Sequence, residues 1–120
     1  MSKKNLSKNK ITKAEADQYE MLYPILSSVY DEIKELSKKK QDGVLNEVKV
    51  KMANRILSKV KTLLAEDPTN EFLDLLDVDN LPSNSDAVLI IAQFRAAMHQ
   101  YKDKHFGYFP NLGEVWDTQG

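Results

Sequence analysis

The chain has 120 residues, 42% of them hydrophobic, with four Gly, four Pro and no Cys. This is room for one domain with one core, and it excludes a disulfide framework and a thiolate zinc site and argues against a turn-dense β architecture. The net charge of −1 conceals a division, because residues 1–61 carry 14 Lys or Arg against 8 Asp or Glu, a balance of +6, and residues 62–120 carry 3 against 10, a balance of −7.

Residues 1–11 hold Lys3, Lys4, Lys8 and Lys10 and little to bury, which predicts a disordered basic arm. Thr12 and Glu15 have capping-box spacing and open the first helix, expected over residues 13–41. Tyr19, Leu22, Leu26, Val29, Ile33 and Leu36 step alternately by three and four along it. Pro24 interrupts this seam and predicts a kink near Leu22–Pro24 or a fresh helix beginning at Pro24. Asp42-Gly43 reads as a turn.

A second helix is expected over residues 44–65, with Leu45, Val48, Met52, Ile56, Val60 and Leu63 as its buried stripe. Lys51, Arg55 and Lys59 stand four apart on another face, a spacing that suits a phosphate backbone or an ordinary solvated Lys face. No aromatic residue is interleaved there to stack a base. Asp67 followed by Pro68 signals the start of a short helix over residues 68–77. Asp77 and Asp79 have the opening spacing of a calcium loop but lack its glycine and terminal glutamate, so they read as a polar connection.

The third long helix, expected over residues 84–106, has the clearest start and stop. Ser83 with Asp86 suggests its cap, Ala87, Ile91, Phe94, Met98, Tyr101 and His105 share one face, and Gly107 fits a left-handed close. Within it, Arg95 and His99 lie one turn apart in the run RAAMHQY. This run resembles the Arg-to-His motif of HEPN-type ribonucleases, one residue short of that family's spacing and with Ala96 where a polar residue usually follows the Arg. The resemblance would imply a helical ribonuclease centred on Arg95 and His99. His99 and His105 are six apart and cannot form the one-turn zinc pair. The tail after Gly107 carries Tyr108, Phe109, Leu112, Val115 and Trp116, too apolar for a free end. It either folds back over the core or docks on another protein, with Trp116 as the anchor.

The expectation is therefore an all-α chain in three parts. Residues 1–11 are the arm, residues 12–107 a small antiparallel helical bundle, and residues 108–120 an irregular aromatic tail. Its core is expected to hold Leu22, Leu26, Val29, Ile33, Val48, Met52, Ile56, Val60, Phe72, Leu76, Ile91, Phe94, Met98 and Tyr101. No catalytic constellation, metal set, phosphate loop or cofactor motif is complete. The chain reads as a non-enzymatic interaction module or a small subunit of an assembly, partnered by another protein or by itself. A nucleic-acid-binding accessory protein is the alternative. No apolar run approaches the ~18 residues of a membrane span. No apolar core follows the basic N-terminus as in a signal peptide, so a cytoplasmic location without a membrane partner is expected.

Overall fold

The computed structural model describes residues 10–119. Three helices dominate: α1 (Lys13–Lys39), α2 (Glu47–Leu63) and α3 (Asn84–His105). Four short strands form two two-stranded sheets: β1 (Ile11–Thr12) pairs with β4 (Thr118–Gln119), and β2 (Phe106–Phe109) with β3 (Gly113–Trp116). The chain is thus mostly helical, and its tail is ordered as a hairpin where the sequence predicts an irregular segment.

Each helix starts where a side chain takes up a backbone N–H that has no partner inside the helix. At α1 the capping box is complete, with Glu15 N–H donating to Thr12 Oγ1 at 3.0 Å and Thr12 N–H donating to the Glu15 carboxylate at 2.8 Å. Asn46 caps α2 by accepting from Lys49 N–H, and Ser83 caps α3 by accepting from Asp86 N–H. Pro24 lies inside α1, which runs on through it as one helix. The proline faces solvent, so the missing backbone bond falls on the wet side.

The core lies mainly between α1 and α3, with α2 packed against α1 and, less extensively, against α3. Leu22, Leu26 and Ile33 of α1 meet Ile91, Phe94 and Met98 of α3, all buried. Helix α2 contributes Val50, Ala53, Leu57 and Val60, followed by Leu64. This differs from the expected stripe, since Val48 and Met52 are 67% and 60% exposed. The reason is the segment after α2. A 3-10 helix (Pro68–Phe72) is followed by an extended run, not the helix to residue 77 that the capping signal suggests. Asn54 and Lys61 of α2 turn inward to hold that run. Asn54 donates to the Leu76 carbonyl and accepts from Leu76 N–H, both at 2.9 Å, and Lys61 Nζ donates to the Leu73 carbonyl at 2.6 Å. Two polar residues on the inner side rotate the apolar stripe and expel Val48 and Met52. Phe72, expected in the core, is 65% exposed because Leu73 and Leu76 are the residues this run buries.

Asp67 caps the 3-10 helix through Thr69 N–H and also accepts from Lys104 of α3 at 2.9 Å. Burial pushes its carboxyl up, but the hydrogen bonds from Thr69 and then Lys104 outweigh it and hold the group below its ordinary value of 3.8. A carboxylate held down in the folded state adds stability above the ordinary value and loses it as pH falls through the lowered one. Thermal unfolding between pH 6 and about pH 3 should therefore show a falling midpoint, with part of the fall absent in Asp67→Asn.

At its far end α3 stops at His105, and the chain enters β2 directly. Gly107 sits inside that strand and does not close the helix. The β2–β3 hairpin pairs Phe106 with Trp116 and Phe109 with Gly113. Pro110 and Asn111 form its turn, closed by Leu112 N–H donating to the Phe109 carbonyl. Asn111 has φ of 80° and Gly113 φ of 78°, the left-handed region those residue types tolerate. Strand β4 then pairs in parallel with β1, matching Ile11 with Thr118. Ile11, assigned by the sequence reading to the arm, is buried by this pairing. The rest of the expected arm, residues 1–9, lies outside the described residues.

Candidate interaction surface

One surface combines exposed apolar side chains with organised charge: the outer face of α1 and α2. On α1, Met21, Ile25 and Val29 recur every four residues, and on α2, Val48, Met52 and Ile56 do the same. Each set therefore forms one ridge. Val29 and Met52 line a common groove of about 310 Å³ together with Ser28, Glu32, Lys49 and Ala53, which sets the ridges side by side. Met21 is 51% and Ile25 41% exposed, and Val29 and Ile56 are half-buried. Isolated exposed apolar residues are ordinary, whereas a double ridge along a groove is the arrangement that a helix fills.

The two edges of this face differ in charge. Asp31, Glu32 and Glu35 line the α1 edge, and the α2 edge carries Lys51, Arg55 and Lys59, all exposed. Glu32 and Lys49 already pair across the groove at 3.4 Å. Lys51 is paired within its own helix to Glu47 at 2.7 Å, and Glu35 to Lys38 at 3.2 Å. Arg55, Lys59 and Asp31 make no ion pair among the described residues. The three cations singled out by spacing thus share one solvent-facing strip, beside the apolar ridge of Met52.

The tail residues separate. Trp116 lies against Tyr19 with ring centres 4.9 Å apart, packs edge-on to Phe106, and donates through Nε1 to Glu20 at 2.8 Å. Val115 and Phe109 are half-buried, while Tyr108 and Leu112 at the hairpin end are exposed. Trp116 therefore fastens the tail to α1, and only Tyr108 and Leu112 remain fully available to a partner.

Arg95 and His99 face α1 from α3. His99 Nε2 is 2.8 Å from the Tyr23 hydroxyl, and the Arg95 guanidinium sits over the Tyr30 ring at 4.4 Å. Ser27 Oγ and Arg95 Nε are buried without hydrogen-bond partners. The pair is thus built into an aromatic seam that continues through Tyr19 and Tyr101, whose rings stack at 6.0 Å. Burial drives both of these phenols well above their ordinary value, so they stay neutral at any physiological pH.

A further apolar groove lies between the extended run and α3, where Leu75, Leu81, Leu89 and Ile90 are flanked by Asp77 and Asp86. Among the described residues no group of three or more His, Asp or Glu is placed to hold a metal ion, and no helix is long and apolar enough to cross a membrane.

The fold and this surface define a mostly helical protein with an exposed two-helix apolar face. Set against known proteins, the chain matches no family model, no curated protein and no solved structure.

Proposed function

We infer that the three helices form a small antiparallel bundle that works as a non-enzymatic, cytoplasmic protein-interaction module, with the α1–α2 face as its working surface. The observation that carries this reading is the double ridge of Met21, Ile25, Val48 and Met52, left in water by two helices that bury other apolar residues. Substitution there leaves the core untouched, so binding can be separated from folding. Affinity capture from the native host, with nuclease treatment, is the test. The intact chain should retain a partner that the folded Met52→Glu chain loses. Equal capture by both would contradict the reading.

A second reading, nucleic-acid binding, draws on Arg55 and Lys59, the two cations of the strip without an ion pair among the described residues. Gel-shift titration at low and high salt separates it, since phosphate contacts weaken steeply with salt. Binding that ignores salt, or no binding at all, removes it.

A further inference from the structure

We propose that the groove between the extended run and α3 is a separate docking site, and that its occupant is a cationic amphipathic helix of another protein. Apolar side chains cover one face of that helix, and Lys or Arg line both its flanks. The site lies apart from the α1–α2 face and does not depend on the reading of that face.

The groove has two walls. Residues 69–82 pass along α3 in the opposite direction to it. Phe72 and Leu73 share a hollow of about 250 Å³ with Gln93, Ala96 and Gln100. Leu75 and Leu81 share the next, of about 430 Å³, with Asp86, Leu89 and Ile90. Asp86, Leu89, Gln93, Ala96 and Gln100 step by three and four, so they form one face of α3 and the two hollows follow each other along it. That face is about 20 Å long, some four helical turns. Leu73 and Leu76 serve the core, which leaves Phe72, Leu75, Val78 and Leu89 exposed beside the groove. Four large apolar side chains gathered there exceed the scattered exposure of an ordinary surface. Ala96 and Ala97 keep the α3 wall low, so a second helix can lie close against it.

Charge selects the occupant. Residues 62–94 contain seven Asp or Glu and no Lys or Arg, and residues 95–120 hold three of each sign, so this stretch carries the whole negative balance of the second half. Asp77 and Asp86 line the groove, and Asp74 and Asp79 stand next to its lining in the chain, all four exposed. None of the four makes an ion pair among the described residues. Asp77 accepts from the backbone N–H groups of Asp79 and Asn80. Two lysines reach this side, and both are engaged. Lys61 donates to the Leu73 carbonyl, and Lys104 pairs with Asp67. The rim therefore has one sign, whereas the α1–α2 face carries both signs and pairs several of them internally. An apolar floor between unpaired carboxylates is complementary to apolar side chains between cations. The same rim repels the phosphates of nucleic acid and of anionic lipid. A helix fits the shape, because its residues at i, i+3 or i+4 and i+7 reach the floor of a straight trough lying along α3.

The test titrates the full chain into a fluorescent synthetic peptide of about four helical turns. The peptide has Leu at every third or fourth position and Lys on both flanks, and its control has Glu in place of each Lys. Anisotropy should saturate for the Lys peptide below about 200 µM chain, with a gain of helical circular dichroism on mixing and weaker binding at high salt. The Glu peptide should not bind. Leu89→Gln changes a residue that is 63% exposed, so the chain should keep its circular dichroism while binding weakens at least about tenfold. Asp74→Asn with Asp86→Asn should weaken it by a similar factor. In a chain labelled in its Leu and Met methyl groups, the Leu75 and Leu89 signals should move on adding the peptide while Met21 and Met52 stay fixed. No saturation, equal binding of the Glu peptide, or indifference to Leu89→Gln overturns the site. Indifference to the Asp substitutions overturns the cationic occupant, and binding without a gain of helix overturns the helical one. Movement of Met21 and Met52 with Leu89 fixed puts the peptide on the α1–α2 face and also overturns the proposal. A chain whose mass doubles by itself with concentration, but not as Leu89→Gln, assigns the groove to a second copy and overturns the foreign partner.

Discussion

Trp116→Ala should destabilise the chain by about 3 kcal/mol, the lower part of the range for removing a large aromatic ring, because Trp116 is half-buried. The ring fills the angle between Tyr19, Tyr101 and Phe106. Among the described residues, its Nε1–H bond to Glu20 is the one side-chain hydrogen bond between β3 and α1. Losing it also loosens the seat of β4, and with it the pairing that buries Ile11. Chemical denaturation followed by circular dichroism checks the prediction, with a lower midpoint expected at nearly unchanged slope. If the tail were a free docking segment, the substitution would leave stability within about 0.5 kcal/mol of the parent.

The second large effect is expected at Asn54→Ala, which should cost roughly 2–4 kcal/mol. One amide serves both backbone groups of Leu76. Removing it leaves a donor and an acceptor unsatisfied in a partly buried place, at about 1–3 kcal/mol each before water relieves part of the cost. The loss is also local. Amide exchange should speed up over residues 73–81 well before it does so in α3, because among the described residues Lys61 to Leu73 is the only other side-chain hydrogen bond between α2 and that run. Equal acceleration in all three helices would contradict the pinning role.

These two residues also show what the sequence made legible and what it did not. The helices were readable because caps and period agree: Thr12 with Glu15, and Ser83 with Asp86, stand at the starts of α1 and α3. The face of α3 was readable for the same reason, since Ile91, Phe94, Met98 and Tyr101 are all buried. On α2 the period was right and the rotation wrong. Apolar residues there cover more than half the circumference, and the side that turns inward is chosen by Asn54 and Lys61, whose partners are backbone groups more than ten residues on. No local rule finds such partners. The short helix failed similarly: Asp67 and Pro68 do start one, but tertiary bonds to Leu73 and Leu76 end it after one turn.

The hairpin could have been found. Pro110-Asn111 followed by Gly113 between apolar residues is a turn signal, and Phe106 to Phe109 is a strand-like run. Placing Gly107 as a helix stop concealed it. The candidate face was hidden by a simpler assumption, that Val48 and Met52, being apolar and correctly spaced, must lie in the core. The charged strip beside them was visible from spacing alone, yet its neighbour was not, because the acidic edge of α1 joins it only in three dimensions.

The most direct test of the face is a spectrum of the chain labelled with 13C in its methionine methyl groups. Met21 and Met52 lie on the α1–α2 face, and Met98 is fully buried between helices. On adding the partner retained in the affinity capture, the Met21 and Met52 signals should shift or broaden together while Met98 stays fixed. Movement of Met98 with Met21 and Met52 unchanged, or no change in any of the three while a partner is bound elsewhere, would contradict the account.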